Sequence, residues 1–195
     1  MLRLGRPSPE ELSRVLAEQE SASVTYAEVG ATQSGALPDG YQHDRYSRGL
    51  GNGDAVFAAA CDGLRAWACH EGAGIPRVPA VPELREGVTL VQALPVGPAY
   101  VPAACRIVWT LDEPDRFGFA YGTLPQHPES GEEAFIVVRD PADDSVRLDI
   151  VVFSKARHPL ARLGWFVGRQ IQVRVTNRFL DGLETYVQAA VPESH

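Results

Sequence analysis

Glu132 and Glu133 are consecutive carboxyls at the head of a strand-like stretch. Consecutive side chains of a strand point to opposite faces, so one of the two could face a cavity and the other solvent. A carboxyl facing an apolar cavity has its pKa raised and suits general-acid work. The plainer outcomes are an inward glutamate paired with an arginine such as Arg106, or one that is not inward at all. Which of the two faces inward is left open by the sequence. His127 lies just upstream, in Pro125-Gln126-His127-Pro128-Glu129. Two prolines stiffen that connection and three carboxylates follow within it or soon after. A histidine oriented by a carboxylate is an acid/base arrangement; a surface loop that only bonds its own backbone is the bland alternative. Tyr121 sits between Ala120 and Gly122 and shares a face with Phe117 and Phe119 by alternation. That face is either a pocket wall with one phenol for a ligand oxygen, or plain core. The candidate catalytic residues are therefore His127, Glu132, Glu133 and Tyr121.

Tyr41, His43, Asp44, Arg45 and Tyr46 form a polar cluster in a loop that either lids a cavity or anchors to a sheet. Tyr41 and His43, with Trp109, Phe119 and Phe153, are the candidate ligand-binding residues. Other chemistries find little support. The histidines at 43, 70, 127, 158 and 195 are scattered, and neither His-x-x-x-His nor Cys-x-x-Cys occurs, so no metal is expected. No Gly-x-Ser-x-Gly elbow is present. Lys155 is the sole lysine, so Schiff-base chemistry would rest on it alone. Gly49-Leu50-Gly51-Asn52-Gly53 does not match a phosphate loop and reads as a cap and hinge. No cofactor is expected.

The elements that must position these residues follow from periodicity. Ser8-Pro9-Glu10-Glu11 is a capping box that opens a helix over about 9–20. Val24 to Val29 predicts a strand, and Gly30 to Arg48 a long loop. A helix follows from Asn52 or Asp54 to Gly72 or Gly74, with Val56, Phe57, Ala60, Cys61, Leu64, Trp67 and Ala68 at three- and four-residue spacing. Residues 75–87 read as irregular. The period then becomes two, predicting strands 88–94, 103–112, 116–124, 132–140 and 145–153, joined by short links that make neighbours antiparallel. From Pro159 to about 190, Leu160, Leu163, Val167, Ile171, Val175, Phe179, Leu183 and Val187 form one apolar stripe of a long helix. Gly164 and Gly168 on it point to a close approach. The expected fold is α+β: a curved antiparallel sheet of about six strands gripping a long C-terminal helix, with a short N-terminal helix. Residues 1–20 are expected to be a helical appendage and 21–195 a single domain.

The 195 residues are 45% hydrophobic and 22% charged, with a formal charge of −7. That balance argues against nucleic acid as a partner. No apolar run approaches the ~20 residues of a membrane span. The first twenty residues lack a signal-peptide core. Three cysteines, an odd count, fit a reducing cytoplasm better than a disulfide framework.

Arg106-Ile107-Val108-Trp109, then Asp112 through Pro125, then Glu132-Glu133-Ala134-Phe135 make up a distinctive run. Val29-Gly30-Ala31-Thr32, Gly40-Tyr41-Gln42-His43-Asp44, Leu50-Gly51-Asn52-Gly53, Phe153-Ser154-Lys155 and Arg169-Gln170-Ile171-Gln172 accompany it. Together they resemble uncharacterised protein family 0548 over roughly residues 20–190. The family's Pro-Gly-His-Pro-Glu stands here as Pro125-Gln126-His127-Pro128-Glu129, and its Phe-Ser-Arg-Pro as Phe153-Ser154-Lys155-Ala156. The resemblance brings no established activity. The element order also resembles the START-like, pollen-allergen helix-grip superfamily, which implies a cavity between sheet and long helix for a lipid, steroid or polyketide. The expectation is a protein that binds a small apolar or amphipathic molecule. If it is an enzyme, a cofactor-free cyclisation, dehydration or isomerisation is favoured. The competing readings are a non-catalytic carrier and a partner-binding protein with a filled core. Homodimer formation is left open.

Overall fold

A computed structural model describes residues 3–157 and 165–191, with side chains described over 5–157 and 172–191. Eight strands form one antiparallel sheet: β1 (Arg3–Leu4), β2 (Gln42–Asn52), β3 (Arg77–Val78), β4 (Thr89–Val96), β5 (Ala99–Glu113), β6 (Arg116–Thr123), β7 (Glu129–Arg139) and β8 (Ser145–Ala156). Their order is β2-β8-β7-β6-β5-β4-β3, with β1 added beside β5. Tight turns at 114–115 and 140–144 join β5 to β6 and β7 to β8, as the turn residues predict. The helices are α1 (Pro9–Gln19), α2 (Ala31–Ser34), α3 (Asp54–Arg65), α4 (Ala68–Gly72) and α5 (Trp165–Ala190). At 26 residues, α5 is about 39 Å long. The predicted helix start at Pro159 and the glycine at 164 lie outside the described residues, as do the contacts of Gly168.

The inner face of the sheet packs on α3, α4 and α5. Leu90, Cys105, Ile107, Phe117, Phe119, Tyr121, Phe135 and Val152 meet Leu64, Trp67, Cys69, Phe179 and Leu183 there. The outer face is covered as well. Leu12 of α1 packs on Val91, Ala93, Ala104 and Leu124. The capping box that starts α1 is present: Glu11 N–H donates to Ser8 Oγ at 3.3 Å, and Ser8 N–H to Glu11 Oε2 at 3.0 Å. Its far end is held by Arg106, whose guanidinium donates to the carbonyls of Gln19, Glu20 and Ala22 at 3.2, 2.7 and 2.6 Å. A cation on the carbonyls at and just past a helix C-terminus is favourable there. Arg106 is thereby committed to α1 rather than to a glutamate.

Three expectations are corrected. Residues 24–29 are not a strand. They cross the outer face as a strap, tied by Thr25 N–H to the Thr123 carbonyl at 3.0 Å. The loop over 30–48 holds α2 and most of β2, which runs antiparallel to β8. Its Gly- and Asp-rich composition masked a strand, because that strand lies at the sheet edge with much of one face in solvent. The helix predicted to reach Gly72 breaks at Trp67, which takes φ 59°. That conformation is costly for a bulky residue. It lets the indole bury completely, pack 5.0 Å from Phe119 and donate to the Pro82 carbonyl at 2.8 Å.

Where α4 crosses α5 the two backbones touch. A Cβ on Gly72 would lie 2.4 Å from Gly182 Cα, and one on Gly182 would lie 2.6 Å from the Ala68 carbonyl oxygen. Arg48 of β2 holds α5 from the other side through Asp181, at 3.0 Å, and Glu184.

Candidate functional site

Glu132 and Glu133 settle the question the sequence left open: Glu133 faces inward. It is the register partner of Tyr121 on β6, and the phenol donates to its Oε2 at 2.6 Å. His70 of α4 closes over this pair, its Nε2 3.3 Å from the Tyr121 hydroxyl. With Glu133 ionised, the phenol proton points at the carboxylate, so His70 donates from Nε2 and Nδ1 bears the lone pair. Protonation of Glu133 permits the reverse order, with the phenol donating to Nε2 and the proton on Nδ1. The three side chains can therefore pass a proton between a carboxyl and an imidazole without moving a heavy atom.

Their surroundings tune each group. Burial pushes the Glu133 carboxyl up to about 7, with the Tyr121 hydrogen bond pulling it down and the charges of Glu129 and Asp44 adding to the rise. Burial drives His70 well below the usual imidazole range, and the Arg77 charge adds to that. Burial and the Glu133 charge raise the Tyr121 phenol well above its ordinary value. A carboxyl titrating near neutrality beside a neutral imidazole can give or take a proton at physiological pH. The walls are aromatic: the His70 ring lies 4.7 Å from Trp67, 5.2 Å from Phe135 and 4.5 Å from Phe179.

Further polar residues lie on the inner face, Asp44 at the Glu133 level and Gln92 with Arg77 displaced along the sheet, since Tyr121 pairs with Ile107 but Gln92 with Ala103. Asp44 on β2 is the register partner of Val152 on β8, which also pairs with Glu133. On the other side, Gln92 on β4 and Arg77 on β3 are register partners on the same face. Sequence reasoning missed His70, Gln92 and Arg77. The available signals were polar side chains inside apolar runs, Trp67-Ala68-Cys69-His70 and Leu90-Val91-Gln92-Ala93. Among the described residues no group of three His, Cys, Asp or Glu side chains gathers as a metal site.

The other predicted residues divide between the faces. Phe119 lines the inner face beside Tyr121, as expected. Trp109 does not join them. The register shifts between Ile107 and Trp109, so Trp109 turns to the outer face and packs with Ala120, Ala134, Ile136 and Val151. Phe153 is also on the outer face, 5.4 Å from Tyr26 and 5.0 Å from Tyr41. Tyr41 donates to Glu28 at 2.9 Å, under the Lys155 ammonium. His43 is exposed, its Nε2 2.7 Å from the Pro38 carbonyl. His127 Nδ1 accepts from Glu129 N–H at 3.0 Å, so its own backbone orients it rather than a carboxylate. Burial lowers it to about 4.

Glu132 faces outward yet is almost fully buried beneath the strap. It accepts five hydrogen bonds: Tyr26 Oη–H at 2.8 Å, Gly30 N–H at 2.8 Å, Thr32 N–H at 3.1 Å, Trp109 Nε1–H at 3.3 Å, and the Thr32 hydroxyl. A buried carboxyl so supplied is satisfied and holds the strap in place.

An antiparallel sheet packed on a long C-terminal helix defines a protein of the helix-grip fold. Its residues 25–182 match the domain of unknown function DUF1990, and the chain belongs to that family. A UPF0548 protein of Deinococcus radiodurans is 33% identical over 172 residues, covering 83% of this chain and 86% of its own. One from Dictyostelium discoideum is 28% identical over 188 residues, covering 86% and 87%. Among solved structures, a protein of Thermus thermophilus superposes with a TM-score of 0.52 at 17% identity, covering 76% of this chain and 99% of that one. Ara h 8.0201 gives 0.50 at 14% identity, covering 77% and 99%. These two likenesses establish the fold alone.

Proposed function

We propose that the inner face binds a small apolar or amphipathic molecule beside Glu133, Tyr121 and His70, and that these three handle a proton of that molecule. The observation that carries this reading is the Glu133–Tyr121–His70 chain itself. Glu133 keeps accessible surface although it lies mid-sheet on the gripped face, flanked by β6 and β8. A carboxyl held near neutrality, a phenol that stays protonated and a neutral imidazole suit cofactor-free proton transfer, with Tyr121 donating to a developing oxyanion. A carrier would use the same groups only to hold its ligand. The three cysteines, free and buried, suit a reducing compartment.

Close ring contacts around His70 favour a second reading, a core filled by its own side chains. Native mass spectrometry separates the two. The folded chain is incubated with naphthalene-, sterol- and fatty-acid-class probes. A one-to-one adduct that is lost on denaturation, and lost again in Phe119→Trp, supports the pocket. No adduct with any probe overturns it. Turnover of a bound probe that disappears in Glu133→Gln while binding persists would mark an enzyme rather than a carrier.

A further inference from the structure

Three buried side-chain atoms on the inner face have no hydrogen-bond partner among the described residues: Arg77 Nε, Gln92 Oε1 and Nδ1 of His70, the residue that meets the Tyr121 hydroxyl. Their side chains are almost wholly inaccessible, with residue exposures of 7%, 2% and 1%. Arg77 and Gln92 are register partners on neighbouring strands, so their side chains rise from one face about 5 Å apart at Cβ. Arg77 donates from Nη2 to Glu71 at 2.6 Å and lies over the Trp67 ring at 5.5 Å, while its buried Nε has no partner among the described residues. His70 approaches from α4 above. Buried polar atoms left unpaired are costly, and native proteins rarely gather several in one place.

We propose that Arg77, Gln92 and His70 form a recognition site for a neutral hydroxyl group on an apolar, ring-shaped ligand. The proposal rests on the pocket reading above and adds the ligand's polar chemistry to it. A hydroxyl seated between Arg77 and Gln92 accepts from Nε–H and donates to Oε1. A second acceptor or donor role at His70 Nδ1 suits a further hydroxyl in either tautomer. A carboxylate or phosphate suits the site poorly. It only accepts, and it would meet Gln92 Oε1 without a proton to offer. The Arg77 charge is already matched by Glu71. Trp67, Phe119, Phe135 and Phe179 give the surroundings an aromatic, apolar character that matches a ring-shaped ligand.

The test compares 2-naphthol, naphthalene and 2-naphthoate at neutral pH, titrated into the full chain and followed by calorimetry. 2-Naphthol is expected to bind at least about tenfold more tightly than either analogue, because the analogue lacking the hydroxyl leaves buried polar groups unpaired. In Gln92→Met the 2-naphthol affinity is expected to fall to that of naphthalene, with naphthalene itself little changed. Equal binding of 2-naphthol and naphthalene overturns the proposal and leaves the pocket standing; it marks a site that holds internal water only. Preference for 2-naphthoate overturns it in favour of an anion site. Binding of none of the three removes the pocket and the proposal together. The ligand series in the unmodified chain decides the matter even if Gln92→Met does not fold.

Discussion

Glu132 and Glu133 are adjacent in the chain and lie on opposite faces of one sheet. Glu132 is closed off by five hydrogen bonds under the strap, whereas Glu133 has one phenol and a histidine beyond it. The first arrangement anchors a segment. The second leaves a carboxyl whose protonation can change near neutrality.

The Glu133 carboxyl should make stability depend on pH in a particular sense. Its folded pKa, about 7, lies above its ordinary value of 4.5, so the folded state binds more protons between those limits. Its contribution is present below about pH 4.5 and is lost as pH rises through 7. Glu133→Gln should therefore gain stability relative to the parent over that window, by of order 3 kcal/mol, and level off above it. Urea denaturation at a series of pH values measures this; a constant difference would contradict it.

His70 and His127 act with the opposite sign. Both are held below the ordinary imidazole range by burial. The folded state then binds fewer protons below about pH 6.5, and stability falls as pH drops from there toward the folded values. His127→Asn should flatten the acid limb of the curve down to about pH 4, where His127 itself titrates. Thermal unfolding from pH 4 to 7 reads this directly.

Tyr121→Phe removes the hydroxyl shared by Glu133 and His70. It leaves a carboxyl and a ring nitrogen without that partner, which should cost about 1–3 kcal/mol. The phenol's hydrogen bond is what pulls the Glu133 pKa down, so that pKa should rise further in the variant. Carbon-13 NMR titration of the glutamate carboxyls checks the direction.

Glu132→Ala should release the strap without disturbing the inner face. Four residues donate to this carboxyl, Tyr26, Gly30, Thr32 and Trp109, and stranding them should cost about 3–5 kcal/mol. Gly122, the register partner of Glu132, offers a second route: a Cβ there would lie 2.1 Å from the Tyr26 hydroxyl oxygen. Gly122→Ala should push Tyr26 off and reproduce part of the effect. Limited proteolysis is expected to cut within residues 22–37 in both variants before the sheet unfolds.

Gly182→Ala tests the crossing of α4 and α5. The neighbouring atoms are backbone, so the helices must separate, at about 1–3 kcal/mol. Because His70 rides on α4, the same variant should weaken its contact with Tyr121, seen as an upward move of the His70 imidazole pKa by proton NMR.

Much of this is legible in the sequence. The switch from a helical to a two-residue period located β4 to β8, since alternation is what a sheet with two unlike faces demands. The Ser8–Glu11 box announced α1, because capping is a local affair. Parity placed Phe117, Phe119 and Tyr121 on one face and separated Glu132 from Glu133. Local rules failed where distant contacts outweighed them. The register shift at Val108 moved Trp109 to the outer face, and burial of the Trp67 indole broke a helix that its sequence would have continued. The strap over 24–29 carries a strand-like composition, but Thr25 bonds to Thr123 and Tyr26 to Glu132 rather than to a neighbouring strand's ladder. His70 looked like one of several scattered histidines, because nothing nearby in the chain names Tyr121 or Glu133 as its partners. The sequence alone determined which residues alternate, which ends are capped and which side chains are apolar, since those properties are read over a turn or a few strand residues. Only the tertiary structure decided which face each glutamate meets and what sits across from it, because burial and hydrogen-bond partners come from residues far away in the chain.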